Sequence, residues 1–230
     1  MKQQVIKSTF SLFGNFSKIV TREADLQKAF ADYKFQSGQE TLPNGMPAKV
    51  YHFVNEHKAV TIHAYRIDFD FGYPNDNITT ADFQAHCEEA ANTLAKVDTI
   101  KANRIAYNSI EFIDNPEGSV VAKCNELFNI ANVFGSPAKE FNLRVNHVKT
   151  INGEEFNSVL ILQDGAVTHN VTKENKQVLF VNKDINTLIN HQEPRFTLNK
   201  VDSYVGDLLL EAADRNNTFF NAVEGETINK

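Results

Sequence analysis

The stretch Val60-Thr-Ile-His-Ala-Tyr-Arg-Ile-Asp-Phe-Asp-Phe-Gly72 alternates apolar and polar side chains, which is the pattern of a strand in a sheet. As one continuous strand, it would place Ile67, Phe69 and Phe71 on one face and Arg66, Asp68 and Asp70 on the other. Alternation of this kind is typical of antiparallel sheets that pack one face on helices, whereas parallel sheets have strands that are apolar on both faces. The stretch therefore predicts an α+β fold with a mainly antiparallel, twisted sheet and helices on one face.

Further strands are predicted where β-branched and aromatic residues cluster between turn signals. The Asn152-Gly153 and Asp164-Gly165 pairs predict turns of a meander. The predicted strands are Val5–Phe16, a hairpin of Lys49–Val54 with Ala59–Phe71, Asn103–Ile113, Phe141–Thr150, Phe156–Leu162, Ala166–Val171, Gln177–Val181 and Arg195–Leu198.

Four helices are predicted from apolar residues at helical spacing. The first begins after Thr21, and the second is capped by Thr79 or Thr80. The third follows Asn115-Pro-Glu and ends near Gly135. The last is long, beginning at Val201 and extending towards Phe219 and Phe220.

The order of the elements is strand, helix, hairpin, helix, and then strand, helix, meander, helix. This order predicts one domain over residues 1–230 with two pseudo-repeated β-α-β-β-α halves, about 1–98 and 99–224, and a frayed tail at 225–230.

Charge and composition exclude several classes of protein. The net charge of −6 makes a broad nucleic-acid surface unlikely. The sequence contains neither a signal-peptide pattern nor an apolar run long enough for a membrane span, which predicts a cytoplasmic protein without membrane contact. Cys87 and Cys124 both fall on apolar helix sides and are expected to be buried thiols.

The polar face of the opening stretch is a candidate site. Arg66, Asp68 and Asp70 project to one side about 7 Å apart, a spacing at which two carboxylates share a divalent ion or flank a substrate. Arg144 lies in a similar alternating segment and would pair with these acids if the two strands were neighbours. The competing interpretation, which we favour, is that this is the solvated face of the sheet.

Motifs for catalysis, metals and phosphate binding are absent from the sequence. His63 and His147 fall on apolar strand faces and would form a metal pair only on adjacent strands, without a third ligand. The sequence therefore predicts no metal, no cofactor and no catalytic residue, and it favours a protein that is not an enzyme.

Two further candidate surfaces follow from the patterns. A curved sheet that grips the last helix could enclose an aromatic cavity, with candidate walls at Tyr65, Phe69, Phe71, Tyr107 and Phe141. Acidic residues at spacings of four and three form a stripe on the last helix, which is either its solvated face or a docking surface for a basic partner, at Asp207, Glu211 and Asp214.

Three segments carry a resemblance. They are "NRIAYNSIEFI" from Asn103, "VLFVNKDIN" from Val178 and the long segment from Phe196 that includes paired phenylalanines. In this order they resemble a sporadically distributed prokaryotic family of uncharacterised proteins of similar length. The resemblance implies a bacterial or phage gene that acts in conflict with the host or in its defence, and it transfers no functional residue.

Three hypotheses of function remain. The first is a non-enzymatic accessory protein or inhibitor that acts through protein contacts, with exposed edge strands favouring homo-oligomers or the addition of a partner's strand. The second is a small-ligand-binding protein with an aromatic cavity between the sheet and the C-terminal helix. The third is a metal-dependent enzyme that uses Asp68 and Asp70 together with Glu111.

Overall fold

A computed structural model describes residues 3–42, 45–114, 121–122, 125–126, 128–137, 140–168, 174–189 and 192–224. Nine strands of these residues form one antiparallel sheet in the order β2-β3-β4-β5-β1-β7-β10-β9-β8, and β6 pairs with β11 in a small second sheet. The strands are Gln3–Phe13 (β1), Lys34–Thr41 (β2), Pro47–Asn55 (β3), Lys58–Ile62 (β4), Arg66–Gly72 (β5), Lys101–Ala102 (β6), Arg104–Asp114 (β7), Asn142–Ile151 (β8), Glu154–Thr168 (β9), Asn175–Thr187 (β10) and Phe196–Thr197 (β11).

The described helices are Glu23–Ala29 (α1), Thr80–Ala95 (α2), Ile130–Phe134 (α3) and Val201–Glu224 (α4). Helices α2 and α4 pack against each other and on the same face of the sheet, against β5, β7 and β10. The predicted α+β class with a long C-terminal helix is confirmed. Within the described ranges, none of the helices combines the length and apolar character that a membrane span requires.

The opening stretch forms two strands rather than one. The chain turns at His63–Tyr65, where the His63 amide donates to the Arg66 carbonyl at 2.8 Å. Ile62 then lies opposite Ile67 on the same face, although an odd separation would place them on opposite faces of one continuous strand. The turn therefore puts both the β4 and the β5 apolar residues into the core and leaves Asp68 and Asp70 on the opposite face from α2 and α4, which we call the open face.

The two halves of the chain are arranged alike in the sheet. In the first half, β1 pairs with β5, the last strand of the meander β2–β5. In the second half, β7 pairs with β10, the last strand of the meander β8–β10. Strands β1 and β7 pair with each other at the centre, so one sheet runs through both halves.

Two further features differ from the sequence-based predictions. Strand β2 was not predicted, because its residues are polar and it lies at the edge of the sheet. The turn predicted at Asp164-Gly165 is wrong, since β9 continues through both residues and Gly165 pairs with Val178. A side chain at Gly165 would approach the Phe180 ring to 2.9 Å, so glycine makes room for an aromatic ring here instead of forming a turn.

Some predicted features lie wholly or partly outside the described residues. These are most of the third predicted helix, including Cys124, and the tail at 225–230.

A buried ion pair interrupts the apolar layer between the sheet and the helices. Lys183 Nζ lies 2.5 Å from Glu111 Oε1, with side-chain exposures of 4% and 2%. Ser109 also donates to this carboxylate at 2.9 Å, and the Gln3 amide donates to its other oxygen. Glu111 therefore faces the helices, on the opposite side of the sheet from Asp68 and Asp70.

Candidate functional site

The two acids of β5 are bound to the strand beside them. Asp68 accepts a hydrogen bond from Ser11 at 2.6 Å, and Asp70 accepts one from Thr9 at 2.7 Å. Each hydroxyl lies directly opposite its acid in the β1–β5 register. The carboxylates are therefore cross-strand partners of hydroxyls, as expected on the polar face of a sheet.

Cations neutralise the same two acids. Arg66 Nε lies 2.8 Å from Asp68, and Lys7 Nζ lies 2.6 Å from Asp70. Arg144 does not join them, because β8 is at one end of the sheet and four strands separate it from β5 in the sheet order. No three His, Cys, Asp or Glu side chains of the described residues are placed to hold a metal ion. With Glu111 on the other face, the arrangement gives a metal-dependent enzyme no support.

His63 lies between two carboxylates on the open face. Its Nδ1 is 2.9 Å from Glu40 Oε2 of β2, and its Nε2 is 3.7 Å from Asp68 Oδ2. Burial by itself lowers the pKa of His63, but the hydrogen bonds and charges of Asp68 and Glu40 outweigh it, so the pKa is raised above 6.5. The His63 ring therefore links the edge strand β2 to the turn between β4 and β5, and it does so most strongly when protonated.

We expect His63 to make the stability of the protein depend on pH. A raised folded-state pKa means that the stabilising effect is fully present below the unfolded value of 6.5 and is lost as the pH rises through the folded-state pKa. The measurement is urea unfolding of wild type and His63→Gln on both sides of that window. The wild type should have a higher free energy of unfolding than the variant at the lower pH, and this difference should disappear at the higher pH. A difference that is constant or grows with pH contradicts a raised pKa of His63.

The other candidate histidine does not pair with His63. His147 lies on the edge strand β8 and is exposed, far along the sheet from His63. The register with β9 places His147 on the same face as the buried Leu160 and Leu162, as expected, although its own side chain is exposed.

The five aromatic residues expected to wall a cavity do not surround one. Phe69, Phe71 and Tyr107 are at most 2% exposed and pack in the main core. Phe141 belongs to a second, smaller core cluster. Tyr65 is 40% exposed and donates a hydrogen bond to Glu40 at the open face, because the turn at His63–Tyr65 carries it out of the sheet.

The acidic stripe of α4 faces the β8–β9 hairpin. Glu211 is 7% exposed and accepts a hydrogen bond from Ser158 at 2.7 Å. Lys149 Nζ and Arg215 Nε lie 3.1 and 3.2 Å from the same carboxylate. Asp214 also forms an ion pair with Lys149, and Asp207 accepts a hydrogen bond from the Asn152 side chain at 2.5 Å. The stripe therefore fastens α4 to the sheet, and its central acid Glu211 is not free to bind a partner.

Removing the central acid of the stripe should destabilise the protein. Glu211→Ala is expected to lower the free energy of unfolding by about 2–3 kcal/mol, because charge-assisted hydrogen bonds contribute about 1.5–3 kcal/mol and Ser158 is left buried. Asp214→Ala is the control, since that side chain is 64% exposed. Urea unfolding that shows equal, small effects for both would mean that the stripe does not hold the helix.

A cleft lies where the first turns of α4 meet the end of the sheet. It has a volume of about 290 Å³ and receives side chains from β7, the β8–β9 hairpin, β11 and α4. We call it the α4 cleft, and its lining residues are Ile105, Ile151, Asn152, Glu154, Phe156, Arg195, Phe196, Lys200, Ser203, Tyr204, Asp207 and Leu208.

Three aromatic rings and a fixed guanidinium form part of its wall. The Phe196 and Tyr204 rings meet edge to face at 5.2 Å, and Phe156 lines the cleft beside them. Arg195 lies over the Phe196 ring at 4.8 Å and donates to the Asn103 carbonyl and to Glu154, at 2.7 and 2.9 Å. These contacts fix the guanidinium of Arg195 beside the Phe196 ring.

The sequence does not reveal this cleft, because its residues come from four separate segments that only the fold brings together. The predicted short strand at Arg195–Leu198 was the nearest signal. Another cleft of about 290 Å³ lies at the start of α2, but it is lined by a single aromatic residue, Tyr73, and one charged residue, Asp76. The α4 cleft offers a ligand more aromatic side chains and more charged groups.

Comparison of the chain with protein-family models and with curated proteins finds no match. The function must therefore be argued from the geometry.

Proposed function

We propose that the protein binds a small ligand in the α4 cleft. The observation that carries the proposal is the combination in one cleft of three aromatic side chains with polar groups of both charge signs. Ligand sites are typically concave, with apolar walls and a few fixed polar groups that orient the ligand. The α4 cleft lies beside the C-terminal helix, where the sequence predicted a ligand cavity, but its walls are formed by other residues than the five predicted aromatic ones.

The volume limits the size of the ligand. At about 290 Å³ the cleft is near the lower end of ligand pockets, which span roughly 300–1,000 Å³. It suits a compound of about a dozen non-hydrogen atoms. At about 0.3 kcal/mol per atom such a compound has a Kd in the millimolar range, and tighter binding requires its polar groups to meet those of the wall.

A pair of matched variants tests the proposal. Ser203→Trp places a large ring in the cleft, whereas Leu210→Trp adds the same ring on the same helix at a position that is 72% exposed and outside the cleft. Non-denaturing mass spectrometry of gently purified protein should show a small adduct on wild type and on Leu210→Trp but not on Ser203→Trp. An adduct that stays on Ser203→Trp, or no adduct on any of the three, contradicts the proposal.

A second candidate function is protein interaction through the edge strand β8. Among the described residues β8 pairs only with β9, it contains no proline over its ten residues, and Val148 is 59% exposed. Long edges without protection pair readily with another strand. We propose a second copy of the chain as the partner, which would continue the sheet across the interface.

Sedimentation at increasing protein concentration tests this candidate. Wild type should form a dimer, and Val148→Lys should remain a monomer because a charge on the edge disfavours pairing. Tyr65→Lys, at an exposed position outside β8, is the control and should dimerise as wild type does. A wild-type monomer at all concentrations would remove this candidate.

A further inference from the structure

The charged groups of the α4 cleft fall into two classes. Arg195 and Glu154 neutralise each other at 2.9 Å. Asp207 accepts a hydrogen bond from Asn152, but it forms no ion pair with any residue in the described part of the chain. Lys200 likewise forms no ion pair within the described ranges. The cleft therefore offers a ligand one uncompensated cation and one uncompensated anion.

Lys200 and Asp207 lie at different positions along the cleft. Lys200 ends the short 3₁₀ helix Leu198–Lys200 that leads into α4, and Asp207 follows seven positions later. Both line the cleft, about 10 Å apart along the helix axis. Tyr204 lies between Lys200 and Asp207 in the sequence, and its ring contacts the Phe196 ring. An apolar surface therefore separates the cationic end of the cleft from its anionic end.

We infer that the α4 cleft takes an amphoteric ligand whose carboxylate and ammonium groups stand at opposite ends of a flat apolar body. This inference rests on the proposed ligand-binding function. With contacts of about 3 Å to Lys200 and Asp207, the two charges of the ligand are roughly 5–8 Å apart. An α-amino acid, whose two charges share one carbon, cannot reach both groups at once.

Four small probes test this arrangement on the wild-type chain. 4-(Aminomethyl)benzoate carries both charges on opposite ends of a ring, 4-methylbenzylamine and 4-methylbenzoate each lack one charge, and phenylalanine carries both on one carbon. Amide chemical-shift titration should show 4-(aminomethyl)benzoate binding at the cleft residues with about five- to tenfold higher affinity than the other three.

Two charge-removing variants separate the ends of the cleft. Lys200→Met should weaken 4-(aminomethyl)benzoate to the level of 4-methylbenzylamine while leaving 4-methylbenzylamine itself unaffected. Asp207→Asn should weaken 4-(aminomethyl)benzoate to the level of 4-methylbenzoate while leaving 4-methylbenzoate itself unaffected. Lys34→Met and Asp32→Asn, two exposed positions on or next to β2 at the other edge of the sheet, are the matched controls and should change nothing.

The outcomes distinguish this inference from the proposed function. If all four probes shift the cleft amides with equal affinity, the cleft binds ligands but does not select charge, and only the inference fails. If no probe shifts the cleft amides, the inference and the proposed function both fail.

Discussion

Replacing Glu111 by glutamine, or Lys183 by methionine, is expected to lower the free energy of unfolding by about 3–5 kcal/mol. The two side chains form an ion pair at 2.5 Å, with exposures of only 2% and 4%. Breaking a buried pair from one side leaves the other charge without its counter-ion in a medium that solvates it poorly. This is one of the two largest effects of a single substitution that we expect.

The acid–base chemistry of lysine sets an upper limit on the destabilisation caused by Glu111→Gln. Burial lowers the pKa of Lys183 and exceeds the raising effect of Glu111. Without Glu111 the lysine can release its proton, and neutralising a lysine at neutral pH costs roughly 5 kcal/mol. Glu111→Gln should therefore yield a folded but weakened protein with a neutral Lys183.

Urea unfolding of the two single variants, a double variant and a control checks this expectation. The double variant Glu111→Leu with Lys183→Met should recover most of the lost stability, because apolar replacement of a whole buried pair is often neutral or favourable. Lys18→Met is the control, since Lys18 is 80% exposed in its pair with Asp98 and a pair of this kind contributes little. Single variants as stable as the wild type would contradict the burial of the pair.

Phe71→Ala is expected to destabilise the protein by about 3–5 kcal/mol, the range for removing a large aromatic side chain from a core. Phe71 is fully buried on β5. Its ring contacts four other rings at centroid distances between 4.9 and 6.0 Å, those of His57, Tyr73, Phe83 and His86. The loss therefore includes apolar burial, aromatic contacts and an unfilled cavity between β5 and α2.

The same measurement decides whether this residue lines a ligand cavity. Tyr65→Ala is the control, because Tyr65 is 40% exposed and its loss opens no cavity in the core. A cavity wall would tolerate truncation, since the space behind it is already empty. If Phe71→Ala were no more destabilising than Tyr65→Ala, the aromatic side chains of β5 would not belong to a packed core.

Local signals in the sequence were sufficient for several elements. The α2 helix begins where predicted, with Thr79 as its N-cap residue, and the Asp82 carboxylate accepts a hydrogen bond from the Thr79 amide at 2.7 Å. The Asn152-Gly153 turn has positive φ at both residues, 50° and 83°, as a type I′ hairpin requires. These features depend only on residues that are close in the chain.

Elements that depend on distant partners were not predictable in the same way. The turn at His63–Tyr65 lacks glycine and proline, so nothing local marks the change of face between β4 and β5. Asp164-Gly165 has the composition of a turn, but the ring of Phe180 from the neighbouring strand packs against the glycine. In both places tertiary pairing overrides the local pattern.

In the candidate sites, too, some features follow from the local sequence and others depend on residues far away in the chain. The polar alternation of β5 correctly indicated a face without helices, but the partners of Asp68 and Asp70 are set by the register with β1. The acidic stripe of α4 has the spacing of a solvated face, yet Lys149 and Ser158 lie opposite it on the sheet. The α4 cleft exists only because four separated segments converge, and no spacing rule within one segment describes it.

The most direct test of the central claim is the location of small aromatic compounds in crystals of the protein soaked with indole, benzoate and benzylamine. We expect electron density for these compounds in the α4 cleft, against Phe156, Phe196 and Tyr204. An empty α4 cleft, with the compounds bound instead in the cleft at the start of α2 or on the open face, would contradict it.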